Sequence, residues 1–325
     1  MTWMVTGGAG YIGSHVVRAL KDAGIDAVVL DDLSSGFEAF VPEGVPFVNA
    51  TILDTAAVAS ALETHQVRGV IHCAGYKYAG ESVKFPLHTY RQNVEGTASL
   101  LEAMADTGVA QLVFSSSAGV YGTPTVAMAT EDTPTMPESP YGESKLIGEW
   151  LIRDQVRATA GSDRPLRATS LRYFNVVGSA TPEVPDVSPH ALFPRVIRAI
   201  KAGQAPQIFG DDYDTEDGTC IRDYVHVQDL AHSHVAAARM LDFGKPLAPV
   251  YNLGAGNGTS VRQIVNALLT AAGSDLEPVI RERRPGDPAR IVANGDLAAD
   301  DIEWKMAHTI EEMAASAWEA FPDED

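Results

Sequence analysis

Cysteine is scarce. Cys73 and Cys220 are the only two in 325 residues, too few for a disulfide framework, and neither stands at a metal-ligand spacing. Reduced thiols in a cytoplasmic protein are the expectation. Positive charge is also short: 24 Lys and Arg face 43 Asp and Glu, a formal charge of −19. Such a chain gains nothing from a polyanionic backbone, so nucleic-acid binding is disfavoured. It repels phosphorylated ligands at long range as well, so any such ligand must be held by local groups, namely helix N-termini and placed arginines. No apolar run reaches the about 18 residues of a membrane span. No basic leader precedes the first strand-like run, and no signal peptide is expected. Repeats, heptads and low-complexity tracts are missing too.

What is present is an ordinary globular balance, 45% hydrophobic and 21% charged, over a length that suits a two-lobed α/β enzyme. Strand-like runs at 2–6, 27–30, 45–48, 69–73, 111–115 and 166–171 alternate with helical patterns at 12–23, 55–64, 86–107 and 141–158. Alternation of this kind predicts an α/β fold, a doubly wound parallel sheet of Rossmann type with helices on both faces. A loop rich in proline and small residues at 178–189 then leads into a smaller C-terminal α/β substrate lobe. That lobe has short strands at 207–209, 224–226, 250–253 and 278–280 and helices at 192–202, 227–241, 261–272 and 309–320. The division is a nucleotide-binding domain over 1–176 and a substrate lobe over 177–325, with 224–243 packing back on the first domain. The acidic end, 322–325, reads as a solvated tail.

Gly7-Gly8-Ala9-Gly10-Tyr11-Ile12-Gly13 follows the first strand and opens the first helix. Glycines at 7, 10 and 13 allow the tight turn, the approach of a pyrophosphate and close helix–strand packing, and the helix N-terminus faces the phosphates. Asp31 ends the second strand, where a carboxylate holds a ribose 2′-OH. Asp32 beside it would repel a 2′-phosphate, and no arginine lies in 31–38, so NAD is favoured over NADP.

Tyr141-Gly-Glu-Ser-Lys145 opens a helical segment, and its i, i+4 spacing puts phenol and ammonium on one face. The reference phenol pKa of about 10 makes a poor base at neutral pH. A nearby ammonium is expected to lower it, so that tyrosine can take a proton from a hydroxyl while hydride leaves the same carbon. The loop after the fifth strand carries Ser115, Ser116 and Ser117, where a hydroxyl can relay a proton or bond the reacting oxygen. At least one of the three is expected to cap its own turn. The histidines, His190 and His226 among them, lack ligand spacing and read as structural or surface groups, with no metal.

Together these motifs resemble the extended short-chain dehydrogenase/reductase superfamily, and within it the UDP-glucose 4-epimerase family. The narrower resemblance rests on Leu33 and on segments 74–77, 80–83, 172–175, 213–219, 222–227 and 251–254, and runs from Thr2 to about Trp318. It implies reversible C4 epimerisation of UDP-galactose and UDP-glucose on tightly held NAD, with Ser117, Tyr141 and Lys145 as the catalytic set. The implied cofactor shell is Gly7, Gly10, Tyr11, Ile12, Gly13, Asp31, Ile52, Ala74, Lys77, Asn93 and Tyr173, beside Tyr141 and Lys145. Asp32, Ser35 and Ser115 complete the cofactor candidates. On the substrate side it implies Asn175, Leu192, Phe209, Arg222, Arg284, Asp287 and Ile291, beside Ser117 and Tyr141. Two arginines suit a diphosphate because guanidinium makes forked, charge-assisted contacts.

Three positions depart from the family pattern. Thr51 replaces an Asp near the adenine amino group, and Gln92 replaces an Asn beside Asn93. Ile291 stands where a large Tyr excludes N-acetylated sugars and a small residue admits them. A 4,6-dehydratase needs an acid pair after the loop hydroxyl, but Ala118 and Gly119 follow Ser117. A 4-epimerase of another UDP-sugar (N-acetylhexosamine, glucuronate or pentose) and a non-catalytic NAD-binding sensor are the alternatives; retention of Tyr141, Lys145 and Ser117 weighs against the sensor. The family forms homodimers through helices that correspond to 86–107 and 141–158.

Overall fold

The computed structural model describes residues 1–284 and 287–323. Its centre is a parallel sheet of β1 (Thr2–Thr6), β2 (Asp26–Asp31), β3 (Phe47–Asn49), β4 (Val67–His72), β5 (Gln111–Ser117), β6 (Arg167–Tyr173) and, at one edge, Val250–Leu253. Spatial order is Val250–Leu253, β6, β5, β4, β1, β2, β3. The strand order reverses between β1 and β4, so the crevice at their carboxyl ends is where a doubly wound fold binds its ligand.

The inner strands read as apolar runs because both faces are covered. On one face, α1 (Tyr11–Asp22) packs along the late helix Val227–Asp242 over Trp3, Val5, Leu20, Leu230 and Tyr251. On the other, α2 (Thr55–Thr64) and the helices that follow cover Met4, Val28, Leu62, Leu100 and Phe114. Gly69 on β4 makes room for Trp3, since a Cβ there would lie 2.6 Å from the indole ring. A third apolar cluster around Phe193, Ile197, Ile208, Ile264 and Met313 forms the core of the smaller lobe.

Several boundaries differ from the sequence reading for physical reasons. The third strand starts at Phe47 rather than Val45, because Pro46 has no N–H to give the ladder. The segment 86–107 is not one α-helix. After a short helix, α3 (Ala79–Ser82), come α4 (Pro86–Tyr90), a π-helical turn at Arg91–Glu95 and α5 (Gly96–Thr107). The π turn holds Asn93, whose side chain bonds the Tyr76 backbone and Ser144 on the helix Pro140–Thr159. Val250–Leu253, grouped by sequence with the smaller lobe, pairs with β6 in the main sheet. Pieces of two or three residues were missed altogether: Asn175–Val177, Ile221–Arg222, Thr259–Ser260 and Arg290–Ile291. Part of the expected acidic tail, residues 324 and 325, lies outside the described residues.

Candidate active site

The glycine-rich loop has the shape a pyrophosphate requires. Gly7 has φ +70° and lies so close to the β4 exit that a Cβ would sit 2.7 Å from Ala74 N. A Cβ on Gly13 would sit 2.1 Å from Gly7 O. Helix α1 has Gly10 as its N-cap, no side-chain cap and no acid in its first turn. Its first N–H groups and positive dipole end therefore have no capping side chain, which fits the dinucleotide.

Asp31 is buried at the foot of this loop. Its carboxylate accepts from Ala9 N–H at 3.0 Å and Leu33 N–H at 2.8 Å, and burial raises its pKa against these bonds. Asp32 points outward and caps its own turn by accepting from Ser34 N–H. Ser35 is exposed nearby. Ile52 is buried, and its methyl lies where a Cβ on Gly96 would meet it at 2.7 Å. Asn93 accepts from Tyr76 N–H at 2.6 Å and donates to Tyr76 O and Ser144 Oγ, so it clamps the Ala74–Lys77 loop to the catalytic helix. Lys77 lies on that loop, 5.6 Å from the Tyr78 ring, and its charge acts on Asp186. Tyr11 and Ile12 behave differently from the glycines. The Tyr11 hydroxyl donates to Gly178 O at 2.6 Å, and Ile12 packs under the loop, so these side chains brace the turn.

The catalytic candidates converge at the end of β5. Tyr141 and Lys145 lie in the first two turns of α6 (Pro140–Thr159), capped by Ser139. The Tyr141 backbone N–H donates to Ser82 Oγ, and the Ser117 side chain acts to lower the pKa of its phenol. Ser117 Oγ also accepts from Gly119 N–H at 3.1 Å, so it caps its own turn as well. Side chains alternate along the strand. Ser115 lies 2.9 Å from His234 Nε2 and 3.2 Å from Cys73 Sγ, whereas Ser116 points the other way and donates to Glu149. Tyr173, on β6, is held near Ser115 and Tyr141, and burial raises its phenol strongly.

One electrostatic expectation is corrected. Lys145 was expected to pull the Tyr141 phenol down. Burial instead raises Tyr141 above its usual value, and the influence opposing this is the Ser117 hydrogen bond. The Lys145 ammonium donates to Ser115 O at 2.9 Å and stands 6.0 Å from the Tyr141 ring centroid. Burial lowers Lys145 itself to about 8, while Cys73 and Glu149 act to keep it charged. The residue beneath it was missed. Glu149 takes a two-pronged bond from buried Arg172, at 2.8 and 2.6 Å, and Arg172 also donates to Tyr121 Oη. The signal was available: Glu149 is one turn beyond Lys145, and Arg172 is a cation inside an apolar strand.

On the substrate side, Ile221–Arg222 pairs with Arg290–Ile291, which sets Arg222 opposite Ile291. Arg222 lies 3.4 Å from Asp287, and the Asp287 N–H donates to Arg284 O. The Arg284 guanidinium lies over the Phe209 ring, 4.1 Å from its centroid. Leu192 begins the helix α7 (Leu192–Lys201), and Asn175 sits on a strand beside Tyr224. Buried Asp223 fixes the floor by accepting from Ala255, Gly256 and Ala293 N–H groups. Among the histidines, His226 is buried and stacks on His308 at 3.9 Å, while His190 is exposed and meets the Tyr78 ring edge-on.

A doubly wound sheet, an uncapped glycine-rich turn and a Ser–Tyr–Lys set define an NAD-dependent enzyme of the extended short-chain dehydrogenase/reductase class. Residues 3–254 match the model of the NAD dependent epimerase/dehydratase family, and the chain belongs to that family. It is 43% identical to a UDP-glucose 4-epimerase of Azospirillum brasilense over 94% of this chain and 87% of that one. It is 42% identical to a UDP-glucose 4-epimerase of Mus musculus over 97% and 95%. The crystal structure of UDP-glucose 4-epimerase from Brucella ovis in complex with NAD superposes with a TM-score of 0.91 at 38% identity, covering 98% of this chain and 97% of that one.

Proposed function

We propose that this protein is a UDP-sugar 4-epimerase that interconverts UDP-galactose and UDP-glucose. The observation that carries this is the placement of Tyr141 beside the Ser117 turn at the sheet's carboxyl edge, with the uncapped α1 turn and the Arg222–Asp287–Arg284 cluster as the two anchoring features. When bound, NAD would supply the hydride acceptor and donor for C4 and the positive charge of its oxidised ring. Gly7, Gly10 and Gly13 would admit its pyrophosphate, and Asp31 would hold its ribose.

The protein's own work is proton transfer and anchoring. Tyr141 takes the C4 hydroxyl proton as the hydride leaves, giving a 4-keto sugar. Burial makes that phenol a weak acid, so its phenolate depends on positive charge in the closed site, including the Lys145 ammonium. Ser117, beside that phenol, can bond the reacting oxygen. Arginines would hold the nucleotide while the keto sugar turns, so that hydride would come back to the other face of C4 and Tyr141 would return the proton to its oxygen, with no net redox change. Ala118 and Gly119 give the loop no acid pair for elimination.

The labour divides between residues 1–176 for cofactor and 177–325 for nucleotide, with Val227–Asp242 and Val250–Leu253 returning to the first sheet. The protein acts as a homodimer through α4, α5 and α6. No described helix is long and apolar enough to cross a membrane; two free thiols support a cytoplasmic location, which fractionation against cytosolic markers checks.

The test is a panel of UDP-sugars with product epimers read by NMR. UDP-galactose is expected to give UDP-glucose, and Tyr141→Phe to lower kcat by about a thousandfold while UDP still binds. A protein that carries NAD yet converts no UDP-sugar would be a sensor, and the proposal would fall.

A further inference from the structure

We propose that Arg195 is a third guanidinium of the nucleotide-diphosphate site, working with Arg284 across the Phe209 ring. The inference rests on the reading of this lobe as a UDP-sugar site. Arg195 lies in the opening turns of α7, next to the helix N-terminus, where the backbone dipole is already positive and a cation is disfavoured. No acid stands in that first turn, and the N-cap, Ala191, offers no side-chain acceptor.

The neighbours add to the imbalance. Arg195 and Arg284 share one phenyl ring, at 5.7 and 4.1 Å from its centroid. Neither guanidinium meets a carboxylate among the described residues, in a chain with 43 acids. Partial burial and the Arg284 charge hold Arg195 below its ordinary pKa. Two like charges, a dipole end and an uncapped turn therefore converge, with no carboxylate paired to Arg195 or Arg284 among the described residues. Arg222 extends the cluster through Asp287, and Leu192 starts the same helix.

An anion with two charged groups, joined to something flat or apolar that can use Phe209, fits this arrangement. A nucleoside diphosphate has that chemistry. The cluster also meets a requirement of the whole chain: at −19 the protein repels such a ligand, and a local excess of positive charge must overcome it.

The experiment titrates UDP, UMP and uridine into the full-length protein and into Arg195→Gln, Arg195→Lys and Arg222→Gln. For Arg195→Gln the UDP dissociation constant is expected to rise about tenfold, UMP to rise less, and uridine to stay unchanged. Arg195→Lys should recover part of the loss, since it restores charge but not the fork. KM for UDP-galactose should rise in step with unchanged kcat. Arg195 is exposed, so the melting temperature should hold. Equal weakening of UDP and uridine would make Arg195 a mere support for Phe209 and overturn the proposal, as would unchanged UDP binding. UDP binding with the Arg195 effect but no turnover of any UDP-sugar would overturn the epimerase reading alone. Absence of UDP binding in the unsubstituted protein would overturn both.

Discussion

Tyr141 and Lys145 were legible because their relation is local. An i, i+4 spacing fixes a shared helix face whatever the fold around it. Their energetics were not legible, since burial is set by β4, β5 and β6, and it outweighs the expected pull of the ammonium on the phenol. Arg195 escaped for a related reason: its meaning lies in a ring and a guanidinium supplied by distant segments. Ile291 is a case between the two. The family resemblance marked its position, and the strand register places it opposite Arg222. Its branched side chain is partly buried, larger than a glycine or serine and smaller than a tyrosine. UDP-galactose should therefore exceed UDP-N-acetylgalactosamine in kcat/KM by about tenfold or more. Ile291→Ala should narrow the ratio and Ile291→Tyr widen it. Equal kcat/KM for the two sugars in the unsubstituted protein would remove Ile291 from the specificity argument.

Elements were read best where side chains fix their ends. Helix α2 spans Thr55–Thr64 as expected, with Asp54 accepting from Ala57 N–H. Capping boxes at Ser260–Gln263 and Thr309–Glu312 start the helices Val261–Ala271 and Ile310–Ala320. Strands of two or three residues carry no periodicity to read, and their pairing comes from tertiary contact. The π turn at Arg91–Glu95 is likewise tertiary, because Asn93 is drawn inward by Tyr76 and Ser144. The same helical layer has an unusual outer surface. Leu87 on α4 is 82% exposed and Trp150 on α6 is 46% exposed, with Val83 and Phe85 also exposed between α3 and α4. Large apolar groups on two packed helices favour a covering partner, and a second copy of the chain would bury them in an isologous contact. Sedimentation at micromolar concentration is expected to give a dimer, and Trp150→Glu a monomer with its fold intact. A monomeric unsubstituted protein would exclude these helices as an interface.

For the whole molecule, the β/α alternation made the fold legible, while the return of Val250–Leu253 to the main sheet was not, because its four residues read alike in either place. The packing of the returning helix Val227–Asp242 on α1 brings buried histidines into a molecule whose surface is strongly acidic. His15, His226 and His234 are each lowered to about 4 and His72 to about 3, with burial the first cause in every case. Their ordinary value is 6.5, so between that pH and about 4 the unfolded chain binds more protons than the folded one. Stability from these groups is complete above pH 6.5 and is lost as the pH falls toward the folded values. All four shifts act in the same direction, so their joint loss is expected to be large against the about 5–15 kcal/mol of a typical domain. Asp31, Asp186 and Asp223, raised by burial, act in the opposite sense, but by smaller shifts. Acid also relieves the self-repulsion of a chain at −19, a screened and therefore weaker effect. The urea midpoint is thus expected to stay level from pH 8 to 7 and to fall steadily between about pH 6.5 and 5. His234→Gln should soften that fall. A midpoint unchanged down to pH 5 would mean that these imidazoles protonate without opening the core.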